Sequence, residues 1–204
     1  MAWSSGMEGT RVQHSLKSAV SFSGVGLHTG RPVNMTVRPA AADHGIWFHR
    51  TDLDTVDLTV DPMIQATWSA VTPSRLCTVV ENEHGAAVST IEHLMAALAG
   101  CAITNAVIEI DGPEVPILDG SAEPFVAAFL LRGLQAQSGP SRAIRVLRAV
   151  EVRDGEALAR LEPADMPEMA FRIEFAEAAI GVQERELVLS NGAFVREQIG
   201  RAHV

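Results

Sequence analysis

Residues 89–100, STIEHLMAALAG, decide the fold of the region around them because their apolar side chains recur with helical spacing. Four apolar residues fall at positions i, i+3, i+4 and i+7: Ile91, Leu94, Met95 and Leu98. This spacing places the side chains on one face of an α-helix, whereas a half-buried strand would alternate at every second residue. The stretch therefore predicts a helix that buries one face in a core.

The two ends of this stretch also have the chemistry of helix termini. Ser89, followed by Glu92 three residues later, fits a capping box in which the two side chains satisfy unpaired amides of the first turn. Gly100 suits the left-handed residue that commonly ends a helix. We therefore predict a helix that is capped by Ser89 and stops at Gly100.

Glu92 and His93 are the two side chains of this helix that could carry chemistry. In a structural interpretation, Glu92 belongs to the cap and His93 is an ordinary polar helix residue. In a catalytic interpretation, His93 is a metal ligand and Glu92 is a general base beside the metal, as in other sites where one helix supplies both groups. Spacing alone favours the structural interpretation.

The flanking sequence predicts an α+β fold with a two-layer, sheet-plus-helices domain. Alternating or β-prone runs predict strands at 12–22, 33–39, 46–50, 58–60, 67–70, 77–80 and 106–110. A second helix is predicted at 122–131, with Asp119 ahead of it as a turn or capping residue. This order of elements favours helices packed on one face of a mixed sheet.

The polar, turn-forming residues around Ser138-Gly139-Pro140 predict a linker between two such domains. After it the pattern begins again, with strands predicted at 143–152, 157–161, 170–175 and 187–189 and a short helix at 193–199. The predicted organisation is a disordered extension over 1–11, an α+β domain over 12–134, a linker over 135–142 and an incomplete second copy over 143–204.

Charge and cysteine content restrict the classes of function. A net charge of −9 over 204 residues argues against binding to nucleic acid or to anionic membranes. The two cysteines, Cys77 and Cys101, form no Cys-x-x-Cys pair, so a metal would need histidine and carboxylate ligands. No apolar run approaches the roughly 20 residues that span a bilayer, and residues 1–9 lack the apolar core of a signal peptide. We therefore expect a cytoplasmic protein without a stable membrane anchor.

Five motifs, taken in their order and spacing, resemble the UDP-3-O-acyl-N-acetylglucosamine deacetylases. They are GVGLHTG at 24–30, RTD at 50–52, LCT at 76–78, STIEHL at 89–94 and PILDGSAEPF at 116–125. Each motif is weak alone, but the ordered set is highly specific, and the likeness runs from about residue 12 to residue 201. The resemblance implies two similar α+β domains that hold an active site between their helical layers. It also implies a zinc-dependent hydrolase that removes acetate from UDP-3-O-acyl-N-acetylglucosamine, the committed step of lipid A synthesis in Gram-negative bacteria.

The resemblance reverses the interpretation of the Glu-His pair. It implies that His93 is a ligand of Zn²⁺ and that Glu92 is the base that takes a proton from the attacking water. The substrate-binding residues that the same motifs imply are Leu76, Cys77, Thr78 and His28. The expected partner is the UDP-sugar substrate, and the full-length enzyme is expected to be a monomer.

The sequence departs from the family pattern in its last third. The family's other zinc ligands, a His and an Asp of a His-Lys-x-x-Asp motif, have no counterpart, and His203 is the only histidine after His93. Val204 stands where the family has a threonine that helps to stabilise the oxyanion. We therefore expect a C-terminally truncated, inactive deacetylase, with exposed apolar surface at 170–175 and 187–199. The alternative is a short protein that uses the α+β domain as a non-catalytic binding or interaction module.

Overall fold

The computed structural model describes residues 12–54 and 60–189. The chain divides into two compact units, with residues 12–54 and 60–141 in the first and residues 142–189 in the second. The predicted extension over 1–11 and the predicted helix at 193–199 lie outside the described residues, as does most of the predicted strand at 58–60.

The first unit combines ten strands with two α-helices over its described residues. The strands are β1 (Val12–Leu16), β2 (Val20–Val25), β3 (Pro32–Pro39), β4 (Ile46–Arg50), β5 (Met63–Gln65), β6 (Val71–Thr72), β7 (Val79–Glu81), β8 (Ala87–Ser89), β9 (Ala106–Ile110) and β10 (Leu134–Pro140). The helices are α1 (Glu92–Gly100) and α2 (Glu123–Arg132), and a short 3₁₀ helix spans Trp68–Ala70. The predicted α+β class is confirmed.

A five-stranded mixed sheet in the order β2-β3-β9-β4-β5 forms the larger layer. Strand β9 lies at its centre, antiparallel to β3 and parallel to β4. Ile108 of β9 is opposite both Val37 of β3 and Phe48 of β4, and all three side chains are fully buried. A smaller antiparallel sheet, β6-β7-β8, leads directly into α1. The predicted strands at 33–39, 46–50 and 106–110 are therefore confirmed.

The two helices pack against each other, and α2 covers β2. Phe22 of β2 meets the ring of Phe125 of α2 edge-on, with 4.9 Å between centroids. Leu94 and Leu98 of α1 are buried, which confirms the predicted apolar face of this helix. Burial of side chains of this size stabilises a fold by about 1.5–3 kcal/mol each. The first turn of α1 is thereby fixed against the core.

The ends of α1 differ from the prediction. The helix starts at Glu92 after Ile91, and no side chain caps it. The Ser89 hydroxyl donates to the carbonyl of Pro113 instead, because β8 continues as far as Ser89. At the other end Gly100 remains helical, and the left-handed residue is Ala102, with φ 56°. The capping box and the glycine stop are both wrong.

Three further segments differ from their sequence patterns. The predicted strand at 12–22 is two strands, β1 and β2, which belong to different sheets. The segment 67–70 contains the 3₁₀ helix rather than a strand. Most of the predicted linker over 135–142 is strand β10, which pairs antiparallel with β1. Gln137 supports this pairing by accepting a hydrogen bond from Asn105 and donating one to the carbonyl of Ala40.

The second unit consists of two antiparallel hairpins over its described residues. Strand β11 (Val150–Asp154) pairs with β12 (Ala157–Leu161), and β13 (Glu168–Glu174) pairs with β14 (Val182–Val188). A turn at Gly155-Glu156 joins β11 to β12, and the strand predicted at 143–152 begins only at Val150. Within the described residues of the whole chain, no helix is both long and apolar enough to cross a membrane.

Candidate active site

An open cleft of about 260 Å³ lies beside the first turn of α1. The lining residues come from the segment around the 3₁₀ helix, from β6, from β7 with the residue before it, and from the start of α1: Ala66, Thr67, Trp68, Val71, Thr78, Val80, Ile91, Glu92 and Met95. Most of these side chains are apolar, and Glu92 is the ionisable group among them. The cleft therefore presents one carboxylate in an apolar setting.

The two carboxylate oxygens of Glu92 have different surroundings. Oε1 accepts a hydrogen bond from the Thr78 amide at 3.2 Å. Oε2 is buried and has no hydrogen-bond partner among the described residues. A buried acceptor without a partner costs about 1–3 kcal/mol, so folded proteins contain few of them. Oε2 of Glu92 is thus a buried acceptor that no group of the described residues satisfies.

His93 is the next residue of the same turn and is half-buried. Within residues 12–54 and 60–189, no three His, Cys, Asp or Glu side chains lie close enough together to hold a metal ion. A zinc site normally has at least three protein ligands. The described residues therefore do not form a complete zinc site, and His93 is a single candidate ligand that is adjacent to Glu92 in sequence.

Thr90 holds a strained backbone conformation two residues before Glu92. Its φ of 56° is left-handed, which is unfavourable for a β-branched residue and costs on the order of 1–3 kcal/mol. The buried Thr90 hydroxyl donates to Oε1 of Glu114 at 2.8 Å. The chain consequently turns sharply from β8 into α1, and Glu114 fixes that turn.

Glu114 also holds the loop that follows β2. Its Oε1 accepts from the amide of His28 and its Oε2 from the amide of Thr29, each at 2.9 Å. Burial raises the pKa of Glu114, but the hydrogen bonds from the two amides, from Thr90 and from the Thr29 hydroxyl outweigh it and leave the pKa below its ordinary value. Glu114 is 1% exposed and stays ionised near neutral pH.

Arg50 braces the strand that leads into α1. Its guanidinium pairs with both carboxylate oxygens of Asp52, at 2.8 and 2.7 Å, and donates to the carbonyl of Ala87 at 2.6 Å. Because Ala87 begins β8, the Arg50-Asp52 pair fixes the approach of β8 to the helix. The motif at 50–52 is therefore structural in this fold.

The residues that the sequence predicts for substrate binding fall in different places. Thr78 lines the cleft and its amide contacts Glu92. Leu76 is 80% exposed, and Cys77 is half-buried with its Sγ 3.4 Å from the Ser74 hydroxyl. The His28 side chain is exposed on the glycine-rich loop. The structure thus joins Thr78 to Glu92, but Leu76, Cys77, His28 and His93 do not line the cleft.

Sequence reasoning did not identify the role of Glu114. The available signal was a charged residue between apolar neighbours, since Val115 and Pro116 follow it directly and are buried. Asp119, in contrast, has the predicted turn role: its Oδ1 accepts from the Ser121 amide and hydroxyl.

Comparison with known proteins places this sequence in a family. Residues 13–203 match the family described as LpxC: UDP-3-O-acyl N-acetylglycosamine deacetylase. A UDP-3-O-acyl-N-acetylglucosamine deacetylase of Phenylobacterium zucineum is 48% identical over 184 residues, which is 89% of this chain. Proteins of the same name from Vibrio cholerae and Vibrio campbellii are each 45% identical over 193 residues, or 93% of this chain. The chain spans about 61% of the length of these relatives. It belongs to the UDP-3-O-acyl-N-acetylglucosamine deacetylase family.

Proposed function

We propose that this chain carries the general base and one zinc ligand of a deacetylase that acts on UDP-3-O-acyl-N-acetylglucosamine in lipid A synthesis. The observation that supports the proposal best is the free, buried Oε2 of Glu92 in the cleft beside α1. A carboxylate oxygen left without a partner destabilises the fold, and such groups concentrate at functional sites. The relatives that share this region carry the name of that deacetylase.

In the proposed reaction Glu92 takes a proton from the water that attacks the acetamide carbonyl of the substrate. The hydrogen bond from the Thr78 amide holds Oε1, so Oε2 is the oxygen that receives the proton. The apolar lining of the cleft limits competing hydration of the carboxylate. His93 would hold zinc, and the zinc ion supplies Lewis acidity that polarises the carbonyl.

The proposal includes the expectation that the 204-residue chain alone has no turnover. Only His93 stands as a candidate ligand beside Glu92 among the described residues, and one ligand holds zinc far more weakly than three. The substrate is a proposed partner for the complete enzyme, which we expect to be monomeric. We also place the activity in the cytoplasm, which the free thiols of Cys77 and Cys101 favour because disulfides are rare there.

The second unit supports the idea that further protein covers part of the surface in a complete enzyme. Phe171, Ile173 and Phe175 on and after β13 are each about half exposed. Several exposed apolar residues at alternate positions of one segment are typical of a surface that another element covers. The other predicted segment, 187–199, lies mostly outside the described residues. The alternative function, a non-catalytic binding or interaction module, requires a second unit that is stable by itself.

Acetate release and zinc content of the purified chain test the proposal. We expect no acetate from UDP-3-O-acyl-N-acetylglucosamine, and weak zinc binding that His93→Ala lowers and Glu92→Gln retains. One tightly bound zinc per chain together with turnover would overturn the inactive, one-ligand part of the proposal. Turnover that survives in Glu92→Gln would also overturn the assignment of the base.

Limited proteolysis separates the deacetylase half-site from the interaction module. Because β11–β14 form only two exposed hairpins over the described residues, we expect the protease-resistant core to end near Ser141. A second unit that resists protease as long as the first unit does would favour the interaction module.

A further inference from the structure

Glu114 joins two segments that the proposed function needs at one place. One carboxylate accepts hydrogen bonds from the amides of His28 and Thr29 and from the hydroxyl of Thr90. The first two belong to the loop after β2, and the third precedes the Glu92-His93 turn. These segments are more than 60 residues apart in sequence, and neither belongs to a strand that pairs with the other.

The loop is shaped to receive this carboxylate. The Gly26 amide donates to the carbonyl of Arg31, and the Gly30 amide donates to the carbonyl of Gly26, which closes the loop and turns the two amides inward. A Cβ at Gly26 would overlap Glu114 Oε2 and the Thr29 hydroxyl. Glycine at position 26 is therefore a requirement of the clamp around the carboxylate.

Glu114 is itself held on a short extended segment. The amide of Val115 donates to the carbonyl of Ser89, the amide of Ser89 donates to the carbonyl of Pro113, and the Ile117 amide donates to the carbonyl of Val25. The backbone thus lies between β8 on one side and β2 on the other. The carboxylate has little freedom to move away from either segment.

We propose that Glu114 is a positioning residue that fixes the His28 loop and the start of α1 at one mutual spacing. The proposal rests on the proposed function, in which Glu92 and His93 carry the reaction, and on the substrate-binding role that the family resemblance implies for His28. Glu114 does not touch reacting atoms. It acts through Thr90, whose left-handed conformation aims the first turn of α1.

The test compares Glu114→Gln with Asp111→Asn in the full chain by ¹H–¹⁵N NMR. Asp111 is a matched control because it lies three residues earlier and also accepts a backbone hydrogen bond, from the Asn34 amide at 2.7 Å, but contacts neither end of the clamp. In Glu114→Gln a side-chain NH₂ replaces one acceptor oxygen. We expect faster amide exchange at His28 and Thr29, and also shifted amide signals at Glu92 and His93. Asp111→Asn should leave all four unchanged.

A reciprocal variant and a zinc titration complete the test. Thr90→Val removes the hydroxyl that donates to Glu114 just before the start of α1. We expect this change to shift the amide signals of His28 and Thr29, since coupling between two sites is mutual. In Glu114→Gln we expect the zinc concentration that half-saturates His93 to rise about tenfold, because groups that orient a ligand affect metal affinity on that scale.

The proposal would be overturned if Glu114→Gln changed the amide signals of His28 and Thr29 but left those of Glu92 and His93 as in the unsubstituted protein. Glu114 would then anchor only the loop. The amide readouts need no zinc or substrate. If His93 of the unsubstituted chain fails to respond to zinc, the proposed function fails, while the coupling between the two segments is still measured.

Discussion

Replacing Glu92 by glutamine is expected to stabilise the fold while it removes the proposed base. Oε2 of Glu92 is a buried carboxylate oxygen without a partner among the described residues, and the side chain faces an apolar cleft. A protein that keeps a charged group for chemistry at a cost to its stability should become more stable when that charge is removed. Glutamine has almost the same shape and keeps one carbonyl oxygen for the Thr78 amide.

One favourable and two unfavourable effects determine the change in stability on replacing Glu92 by glutamine. Relief of the unpartnered charged oxygen is worth about 1–3 kcal/mol for a buried group, and the lower part of that range applies because Glu92 is half-buried as a residue. The new NH₂ group is also unpartnered, but it is neutral and costs less than a charge. Loss of a negative charge at a helix N-terminus costs about 0.3–1 kcal/mol. The net gain in the free energy of unfolding is about 0.5 kcal/mol, or about 1–2 °C in Tm.

Glu123→Gln provides the matched control for the helix-dipole effect. Glu123 is likewise the first residue of a helix, α2, but its side chain is exposed. Urea unfolding of both variants at pH 7 should show higher stability for Glu92→Gln and slightly lower stability for Glu123→Gln. A Glu92→Gln protein that is less stable than Glu123→Gln would refute the reasoning, because Glu92 would then contribute to the fold.

Three further predictions follow from burial. Burial raises the pKa of the Cys101 thiol to about 11, so iodoacetamide at pH 8 should alkylate Cys77 and leave Cys101 unmodified in the folded chain, as peptide mass spectrometry would show. Phe125→Ala should lower the free energy of unfolding by about 3–5 kcal/mol, whereas Leu131→Ala, at an 88% exposed position of the same helix, should change it by less than about 0.5 kcal/mol. The pKa of Glu114 in the folded protein is lowered from 4.5, so its ionised carboxylate contributes fully to the free energy of unfolding above pH 4.5. That contribution is lost as the pH falls through the pKa of the folded state. Urea unfolding at several acidic pH values should therefore show a smaller loss of stability in Glu114→Gln than in the unsubstituted protein.

Local patterns in the sequence predict the helices and strands that bury one face in the core. Strands β3, β4 and β9 and the stripe of α1 follow from periodicity because each packs against the same core. The ends of α1 could not be predicted in this way. Ser89 and Glu92 suit a capping box, but the Pro113 carbonyl takes the Ser89 hydroxyl and the Thr78 amide binds Glu92. Both partners come from other parts of the chain.

Strand β10 and the Glu114 clamp depend on partners far away in sequence. Gln135 lies opposite Ser15, 120 residues earlier, and polar residues with a Gly-Pro pair have the local composition of a linker. Glu114 has four donors from two separate segments, which no spacing rule connects. The Glu92-His93 pair shows the same limit, since its own spacing favours an ordinary helix and only the resemblance carried by the flanking motifs predicts catalytic roles for it.

The most direct test of the central claim is a zinc titration of the purified chain followed by the imidazole ¹⁵N signal of His93. The first turn of α1 is proposed to hold both the zinc ligand and the base, so the His93 signal should shift at lower zinc concentration than those of the other histidines. The shift should persist in Glu92→Gln, which keeps the ligand. A His93 signal that stays fixed while other histidines respond would contradict the account.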